Sequence, residues 1–399
     1  MTAPRPPDSD HAPAVAVVGG GQLARMMQQA AIPLGINLRL LSEIAAGSAA
    51  QVIVDTAVGD YHDLETLRSL SKECAAITFD HEHVPTAHLR ALAEDGIACR
   101  PGPEALVHAQ DKGLMRARMD ELGVPGPRHA LVRDAAEVAA FAERVGGFPV
   151  VLKATRGGYD GKGVWVVDTA AGCSTAFETE AARDVSLLAE EKVEFRRELA
   201  ALVARSPSGQ AAAYPVVESV QRDGVCHEVV VPAPGLAPSV AARAQQIALR
   251  VAGALDVTGI LAVELFETVA GDVLVNELAM RPHNTGHWSI DAAVTSQFEN
   301  HLRAVLDLPL GAPESRHPWT VMVNVLGGAR ADEVGSLHDG FPHVFARDPR
   351  LKVHLYGKQV RPGRKLGHVT AYGDDLDDVR DRARHAAAWF SGDSGDESE

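Results

Sequence analysis

Two acidic residues lie in the otherwise apolar segments AVELFET and VNELAMRPHN. Glu264 and Glu277 each have apolar neighbours, and a short turn at AGD separates the two predicted strands. If both carboxylates face one side, they repel each other unless a cation lies between them. Hard oxygen ligands combined with phosphates suit Mg²⁺, and Asn276 adds a neutral oxygen. We therefore predict a metal site, the alternative being one buried acid paired with Arg281.

A glycine-rich segment, KATRGGYDGKGVWVV (153–167), connects two predicted strands. It is not a Walker A loop, because a glycine follows Lys162 and a strand comes next instead of a helix. Lys153 ends a buried strand, where an unpaired ammonium is unfavourable. Phosphate oxygens would supply the missing partner, so we predict a nucleotide-binding loop. The alternative is a plain glycine hairpin with solvated charges.

A second glycine loop lies in AVVGGGQLARMM (16–27), between a predicted strand and a predicted helix. Gly19, Gly21 and Ala24 fit the dinucleotide fingerprint, and Glu43 falls where a ribose-binding acid is expected. However, glycines at a helix N-terminus can hold any phosphate, and nothing downstream supplies a hydride-transfer site. We therefore predict a phosphate site and disfavour a nicotinamide enzyme.

Three further segments carry clustered polar residues. AEEKVEFRRE (189–198) could present backbone groups to an adenine and a carboxylate to ribose, or could be a solvated loop. TFDHEHVP (78–85) ends a predicted strand, where α/β sheets bind ligands, but it lacks a third ligand at zinc-site spacing. KQVRPGRKLGH (358–368) gathers five basic side chains, counting His368, around a Pro-Gly turn. This last segment predicts either an anion site or an exposed basic loop.

The elements that position these residues follow from the hydrophobic pattern. The first region alternates AVAVV, a helix at 22–32 ended by Pro33, NLRLL, a helix at 63–72, and AAITF. This βαβ order implies a parallel sheet covered by helices. One or two helices follow, and GVPGPR is the best candidate domain boundary. Beyond it we predict strands, a hairpin turning at RDG, a helix at 238–255, an irregular AMRPHNTGHWS, further strands and a closing helix.

Composition excludes several classes of protein. The formal net charge is −15 and no Lys/Arg-rich run occurs, which argues against a nucleic-acid partner. The four cysteines are scattered, which indicates a reducing cytosol. No apolar run approaches the ~20 residues of a membrane span. The Pro-rich N-terminus and the acidic end SGDSGDESE are predicted to be disordered.

Taken together, the chain resembles the ATP-grasp enzymes and, within them, the 5-(carboxyamino)imidazole ribonucleotide synthase family, from about residue 14 to 385. The segments GGGQLARM, TFDHEHVP, RGGYDGKG, NELAMRPHNTGHW and RPGRKLGH occur in family order. The resemblance implies an α/β and α+β, ATP-grasp architecture. Its parts would be a disordered tail at 1–13, an N-terminal parallel-sheet α/β domain at 14–124, a two-lobed ATP-grasp domain at 125–317, a small C-terminal domain at 318–388, and a disordered acidic tail at 389–399.

The resemblance also implies a reaction. ATP and bicarbonate would carboxylate the exocyclic amine of 5-aminoimidazole ribonucleotide through carboxyphosphate, releasing ADP and phosphate. The enzyme would be a cytoplasmic homodimer using one or two Mg²⁺ ions. One alternative is another ATP-grasp ligase, such as formate-dependent phosphoribosylglycinamide formyltransferase, against which RPHNTGHW argues. Another is a nucleotide-binding regulatory protein, which the paired Glu264 and Glu277 disfavour, because binding alone needs less metal chemistry.

The family's site residues carry over by motif. ATP would contact Lys112, Lys153, Gly157, Gly158, Tyr159, Asp160, Gly161, Lys162, Gly163, Glu190, Glu191, Lys192, Val193, Glu198, Gln221, Asn276 and Glu277. Glu264 and Glu277 would hold Mg²⁺. The ribonucleotide would contact Gly21, Gln22, Leu23, Glu82, Arg156 and Tyr159. The catalytic set would be Arg281, His283, Asn284, Lys358, Arg364 and Lys365. Many relatives carry a His where Gln221 aligns, and the family's common glycine is Ala24 here.

Overall fold

The computed structural model describes residues 12–158, 162–181, 185–328 and 336–392. The predicted loop residues Tyr159, Asp160 and Gly161 lie outside them, as do most residues of both predicted tails. The strands are β1 (Ala14–Val18), β2 (Asn37–Ser42), β3 (Asp55–Val58), β4 (Ala76–Phe79), β5 (His129–Val132), β6 (Val150–Ala154), β7 (Val164–Val167), β8 (Leu187–Glu191), β9 (Phe195–Arg205), β10 (Ala211–Ala213), β11 (Val217–Arg222), β12 (Val225–Val231), β13 (Gly259–Thr268), β14 (Val273–Ala279), β15 (Trp319–Leu326), β16 (Lys352–Leu355) and β17 (Lys365–Gly373).

The α-helices are α1 (Gln22–Leu34), α2 (Leu64–Ser71), α3 (Thr86–Glu94), α4 (Pro103–Gln110), α5 (Lys112–Glu121), α6 (Ala135–Val145), α7 (Ser174–Ala181), α8 (Pro238–Ala254), α9 (Ser289–Ala292), α10 (Gln297–Val305), α11 (Phe341–Arg347) and α12 (Leu376–Ser391). Short 3₁₀ helices occur at Ala170–Cys173, Asn284–Gly286 and Leu337–Gly340. Across the described parts of the chain, no helix is both long and apolar enough to span a membrane.

The predicted parallel sheet is confirmed. Its four strands lie in the order β3-β2-β1-β4, and all pair in parallel. The carboxyl ends of β1, β2 and β4 therefore meet at one edge, which brings the first glycine loop beside TFDHEHVP. The predicted end of α1 at Pro33 is wrong: the helix includes Pro33 and ends at Gly35, which adopts φ +65°. Pro33 has no N–H and so removes one bond of the helix, but the helix ends only where Gly35 adopts the left-handed conformation.

A small antiparallel sheet forms one lobe of the central region. Its order is β5-β8-β6-β7, and α6 and α7 supply the apolar side chains that pack on it. The glycine-rich segment joins β6 to β7, as predicted. The sequence analysis did not identify β5 or α6, because each carries only a short apolar stripe.

A nine-stranded antiparallel sheet forms the other lobe and continues into the C-terminal region. Its order is β14-β13-β9-β11-β12-β15-β17-β16, with β10 paired to β9. The predicted hairpin at RDG is confirmed by the pairing of β11 with β12. The pairing of β12 with β15 makes the region beyond residue 318 an extension of the central sheet.

The closing helix α12 packs on β15 and β17 and is longer than predicted. We assigned residues 389–399 to a disordered tail, but α12 runs to Ser391 and ends at Gly392 with φ +73°. Phe390 is 2% exposed and belongs to the apolar cluster formed with Val344 and Val379. The burial of this ring explains why the helix extends into the acidic end.

Candidate active site

Glu264 and Glu277 lie in neighbouring strands, as predicted, and are directly opposite each other in the β13–β14 pair. The register then shifts, because Leu265 pairs with Val275 and leaves Asn276 as an extra residue in β14. Side chains normally alternate between the two faces of a strand, but a bulge re-aims one of them. Asn276 and Glu277 can therefore both reach cations in the same cleft.

Two lysines from other elements contact these residues. Lys112, the first residue of α5, forms an ion pair with Glu277. Lys153, on β6, donates to Asn276 Oδ1 at 2.9 Å and to Glu190 Oε2 at 2.7 Å. The small sheet and the large sheet thus meet through ammonium–oxygen contacts. The structure brings together the lysines and acids that the sequence predicted at a nucleotide site.

The electrostatics of the glutamate pair fit a cation site. Burial, with the negative charges of Glu277 and Glu198, raises the pKa of Glu264 to about 8. Burial also opposes ionisation of Glu277, but the charges of Lys112 and Lys153 outweigh it and hold that pKa below its ordinary value. The Glu264 side chain is still 28% exposed, because it lies in an open cleft. The raised pKa favours its protonated form until another positive charge arrives.

Glu190 has a different surrounding from the one predicted. Its side chain is 2% exposed, and Arg116 Nε donates to its Oε1 at 2.6 Å. Burial opposes its ionisation, but Lys153 and Arg116 lower its pKa to about 2. The carboxylate therefore holds Lys153, so only the backbone of Glu190 could face an adenine. Arg116 also donates to the carbonyl oxygen of Val275 at 2.6 Å.

Arg116 is a structural residue of the site that sequence analysis missed. It lies on α5, one turn from Lys112, and is buried. The segment RARMDE (116–121) is mostly charged and resembles a solvated helix face. The local sequence therefore gives no indication that Arg116 is buried. Its role depends on partners more than seventy residues away.

The segment predicted to face adenine and ribose lines the end of the cleft. Glu191 is bound to Arg128, whose Nε donates to Glu191 Oε2 at 2.6 Å. Lys192 and Val193 follow in the irregular chain between β8 and β9. Glu198 lies on β9 near the other acids, and burial raises its pKa although Gln221 and Lys153 act against it.

The two described ends of the glycine-rich loop lie close together. Gly157 and Gly163 adopt φ +75° and +73°, which favours glycine at both positions. A Cβ on Gly158 would lie 2.8 Å from the Lys162 carbonyl oxygen, so this close approach also needs glycine. Arg156 Nε donates to Asp111 Oδ2 at 2.9 Å, which places this side chain beside the start of α5.

A carboxylate that directly follows β4 contacts the first glycine loop. Asp80 Oδ2 accepts from the Gly21 N–H at 2.7 Å, and Asp80 Oδ1 accepts from the Ala24 N–H at 3.0 Å. Burial raises the pKa of Asp80. Gln22 and Leu23 lie between these two bonded amides, and Lys358 Nζ donates to Gln22 Oε1 at 2.5 Å. The sequence analysis did not assign Asp80, although it follows a predicted strand.

The segment after β14 faces both the glutamates and the N-terminal sheet. Glu82 accepts from Arg281 Nε at 2.7 Å and from the Met280 N–H at 3.2 Å. His283 Nε2 lies 3.5 Å from Glu264 Oε1. Burial, with the charges of Arg281 and Lys365, lowers the pKa of His283 to about 3. His283 is therefore a neutral imidazole beside the acid pair, and Asn284 begins the short helix after it.

The side chains of the basic segment 358–368 have different surroundings in the structure. Lys365 begins β17 and acts electrostatically on Glu264 and His283, whereas Arg361 is exposed. Arg364 Nη1 donates to the Gln359 carbonyl oxygen at 3.3 Å. We counted His368 in the basic patch, and this was wrong. His368 is fully buried, and its Nδ1 lies 2.7 Å from the Tyr356 hydroxyl. Alternation along β17 turns its ring into the core.

Comparisons with known proteins agree with this geometry. Residues 13–110 match the ribonucleotide synthetase preATP-grasp domain, 117–298 the ATP-grasp domain, and 320–382 the phosphoribosylaminoimidazole carboxylase C-terminal domain. The chain is 53% identical over 380 residues to N5-carboxyaminoimidazole ribonucleotide synthase of Mycobacterium tuberculosis, covering 95% of this chain and 88% of that one.

Two solved structures from Aspergillus clavatus are also similar. Carboxyaminoimidazole ribonucleotide synthase complexed with ATP has a TM-score of 0.86 and 31% identity, covering 96% of this chain and 99% of that one. The structure described as N5-carboxyaminoimidazole synthase with ADP and 5-aminoimidazole ribonucleotide has a TM-score of 0.85 and 30% identity, with coverage of 96% and 99%.

Proposed function

The chain belongs to the N5-carboxyaminoimidazole ribonucleotide synthase family of ATP-grasp ligases, and we propose that its cleft carboxylates 5-aminoimidazole ribonucleotide with ATP and bicarbonate. The observation that carries this proposal is one cleft that joins lysines, an acid pair and a neutral histidine. Lys112 and Lys153 supply positive charge beside Glu264 and Glu277, and His283 lies on the far side of Glu264.

The chemistry requires bicarbonate to be activated. Bicarbonate is a poor electrophile because its leaving group is hydroxide. Attack of a bicarbonate oxygen on the γ-phosphorus of ATP forms carboxyphosphate and releases ADP, and loss of phosphate then leaves CO₂ for the amine. The amine nitrogen bonds to that carbon and loses one proton to give the carbamate. Phosphoryl transfer needs mainly positioning and charge neutralisation, which fixed cations provide.

Within this proposal, ATP lies between the two sheets. Lys112 and Lys153 contact its phosphates, and the loop from Gly157 to Gly163 covers them. The backbone from Glu190 to Val193 faces the adenine, and Glu198 faces the ribose with Gln221 beside it. The salt bridge from Glu190 to Lys153, at 2.7 Å, holds the ammonium in place before ATP arrives.

The acid pair fits Mg²⁺. Among the described residues, no group of three or more His, Cys, Asp or Glu could hold a metal by itself. Mg²⁺ commonly uses one or two carboxylates together with phosphate oxygens. Glu264 and Glu277 would supply the carboxylates, with Asn276 adjacent, and the bound metal would neutralise phosphate charge. The raised pKa of Glu264 supports this role, because a cation would replace its proton.

The ribonucleotide would lie at the carboxyl edge of the parallel sheet. Gly21 permits the Asp80 contact, and the Gln22 and Leu23 amides are the candidates for its phosphate. Lys358 is close enough to Gln22 to add a positive charge there. Glu82 and Arg156 line the route from this edge to the cleft.

Bicarbonate and the reacting amine would meet between the N-terminal sheet and β17. Arg281, His283 and Asn284 approach from one side, and Arg364 and Lys365 from the other. Tyr159, as part of the covering loop, remains a proposed contact. The positive charges of Arg281 and Lys365 suit an anionic intermediate, and covering the cleft would protect that intermediate from water.

The domain boundaries, the homodimer and the cytoplasmic location are also proposals. The domain boundaries at 14–124, 125–317 and 318–388 rest on the resemblance and on the two central sheets. The homodimer rests on the family alone. A cytoplasmic location is supported by the absence of a disulfide among Cys74, Cys99, Cys173 and Cys226, all of which lie in the described residues.

A substrate comparison tests the proposed function. Purified protein would be supplied with Mg-ATP and either 5-aminoimidazole ribonucleotide plus bicarbonate or glycinamide ribonucleotide plus formate. We expect ADP formation that depends on both members of the first pair. ADP formation with the second pair alone would favour the formyltransferase. Nucleotide binding without turnover in either assay would favour a regulatory protein.

A further inference from the structure

The backbone of His283 is held by one buried side chain. Gln297 is the first residue of α10 and is 0% exposed. Its Oε1 accepts from the His283 N–H at 2.8 Å, and its Nε2 donates to the His283 carbonyl oxygen at 2.7 Å. Since an amide N–H can only donate and a carbonyl can only accept, these two bonds fix the orientation of the Gln297 amide.

The same side chain also determines the protonation of a second histidine. Gln297 Nε2 lies 3.1 Å from His287 Nδ1, and because this nitrogen donates, His287 Nδ1 must accept. Burial keeps the pKa of His287 well below its ordinary value, so the ring is neutral. Gln297 thus contacts both His283, which faces Glu264, and the fully buried His287.

Surrounding contacts hold Gln297 in place. Its backbone N–H donates to Ser289 Oγ at 2.9 Å, and Ser289 Oγ donates to the Gly286 carbonyl oxygen at 2.5 Å. A Cβ on Gly286 would overlap Gln297 Oε1, so glycine is needed for the amide to reach His283. The loop from His283 to Ser289 therefore packs against Gln297, whose side-chain amide contacts both ends of its first turn.

We propose that Gln297 is a positioning residue for the carboxylation step, acting through His283. Two bonds from Gln297 hold the His283 backbone, and Thr285 Oγ1 lies 2.8 Å from His283 Nδ1. Together these contacts set where the imidazole stands relative to Glu264, 3.5 Å away. Loss of the amide would leave the phosphate-binding lysines in place but let His283 move. This inference rests on the proposed function, since it assigns the bicarbonate-derived group to the space beside His283.

The first test removes the amide and keeps the length of the side chain. We expect Gln297→Met to lower kcat/KM for bicarbonate by about a hundredfold, because small displacements of positioned groups have effects of that order. KM for Mg-ATP should change by less than about threefold, and the ratio of ADP to carboxylated product should rise. The control is Gln245→Met, which removes a single bond to the Tyr214 carbonyl oxygen outside the site.

A second variant gives a pH signature. In Gln297→Glu, a protonated carboxyl can accept from the His283 N–H and donate to its carbonyl, whereas the ionised form has no donor. A buried carboxyl can titrate as high as about pH 8–9. We therefore expect the activity of this variant, relative to wild type, to fall as the pH rises from 6 to 9. A role in packing alone would give no such pH dependence.

The outcomes are separable from those of the proposed function. If wild-type protein does not carboxylate the ribonucleotide, the proposed function fails before either variant is measured. If wild type is active, unchanged bicarbonate kinetics in Gln297→Met would overturn the role of Gln297, as would equal losses in ATP and bicarbonate kinetics. If that variant does not fold, a pH profile of Gln297→Glu parallel to wild type would overturn it.

Discussion

Asp80 and Gly21 are joined by a 2.7 Å hydrogen bond in which the Gly21 N–H donates to Asp80 Oδ2. A carboxylate that directly follows β4 therefore stands at the N-terminus of α1, where negative charge is favourable. Because Asp80 occupies the N–H groups of Gly21 and Ala24, the proposed phosphate contacts are the amides of Gln22 and Leu23, which the sequence analysis had named. The missing Cβ of Gly21 makes room for the Asp80 contact.

Substitution of Gly21 should disturb this contact. A Cβ at this position would overlap Asp80 Oδ2, so we expect Gly21→Ala to destabilise the protein by about 1–3 kcal/mol, the usual range for overpacking. KM for the ribonucleotide should rise more than KM for ATP. Urea denaturation and steady-state kinetics would measure both effects. The control is Gly253→Ala in α8, where no atom lies within 4 Å of the added Cβ.

The opposite outcome is also informative. If Gly21→Ala raises KM for ATP and leaves the ribonucleotide unaffected, the glycine loop belongs to the nucleotide. Unchanged stability and kinetics would mean that Asp80 and the loop can move apart without consequence.

Glu277 should be essential for phosphoryl transfer. We expect Glu277→Gln to lower turnover by at least about a hundredfold, because it removes a charge that pairs with Lys112 and is proposed to hold Mg²⁺. The measurement is ADP formation at saturating Mg²⁺. The control, Glu218→Gln, removes a strand carboxylate that pairs with Arg197 outside the cleft. Turnover of Glu277→Gln within a few-fold of wild type would contradict the metal assignment.

The two acids were predictable, whereas their surroundings were not. Glu264 and Glu277 stand out because an acid in an apolar strand is unfavourable without a partner. The bulge that re-aims Asn276 depends on how two strands pair, and the burial of Arg116 depends on Glu190 across the cleft. Such contacts between distant residues leave no local pattern in the sequence.

Three predictions about helix ends and side-chain surroundings were wrong. Helix α1 passes Pro33 because Gly35 supplies a better end, and α12 passes residue 389 because Phe390 packs against Val344 and Val379. His368 looked basic beside Lys365, yet strand alternation and the Tyr356 hydroxyl make it a core residue. Packing outweighed the local sequence pattern in α12 and at His368, whereas in α1 a local glycine cap outweighed the proline.

Acid should destabilise the protein through its buried histidines. Burial lowers the pKa of His283 and His301 to about 3, and keeps those of His287 and His368 well below the ordinary value. Below about pH 6.5 these histidines bind protons in the unfolded chain but stay neutral in the folded chain. The contribution of these histidines to stability is therefore full above pH 6.5 and falls by up to about 1.4 kcal/mol per pH unit for each histidine as the pH drops towards 3.

Glu264 changes the free energy of unfolding in the opposite direction. Its folded pKa of about 8 means that stability is lost as the pH rises from about 4.5 to 8. Burial raises the pKa of Asp80 and Glu198 as well, so three carboxyls oppose the four histidines. Burial also lowers the pKa of His83, His108 and His227, so unfolding free energy from urea titrations should still fall between pH 6.5 and 5. His301→Gln should make that fall less steep. A free energy that is flat or rises over this interval would show that the histidines are not held neutral.

The basic segment should separate ATP binding from carboxylation. We expect Lys365→Ala to lower carboxylation by about a hundredfold, since loss of one charge-assisted contact to a developing anion has an effect of this order. Mg-ATP affinity, measured by calorimetry, should change by less than a few-fold. The control is Arg361→Ala, whose guanidinium is exposed and donates to Gln359 Oε1 at 3.0 Å. Equal losses of ATP affinity and turnover would place Lys365 in the nucleotide site.

The most direct test follows the atoms of bicarbonate. Wild-type protein with Mg-ATP, 5-aminoimidazole ribonucleotide and bicarbonate labelled with ¹³C and ¹⁸O would be sampled early, before the oxygens exchange with water. If bicarbonate is activated by phosphorylation, mass spectrometry should find ¹³C in the ribonucleotide product and one bicarbonate-derived ¹⁸O in the released phosphate. ADP formation without ¹³C in the ribonucleotide, or phosphate without ¹⁸O, would contradict the proposed reaction.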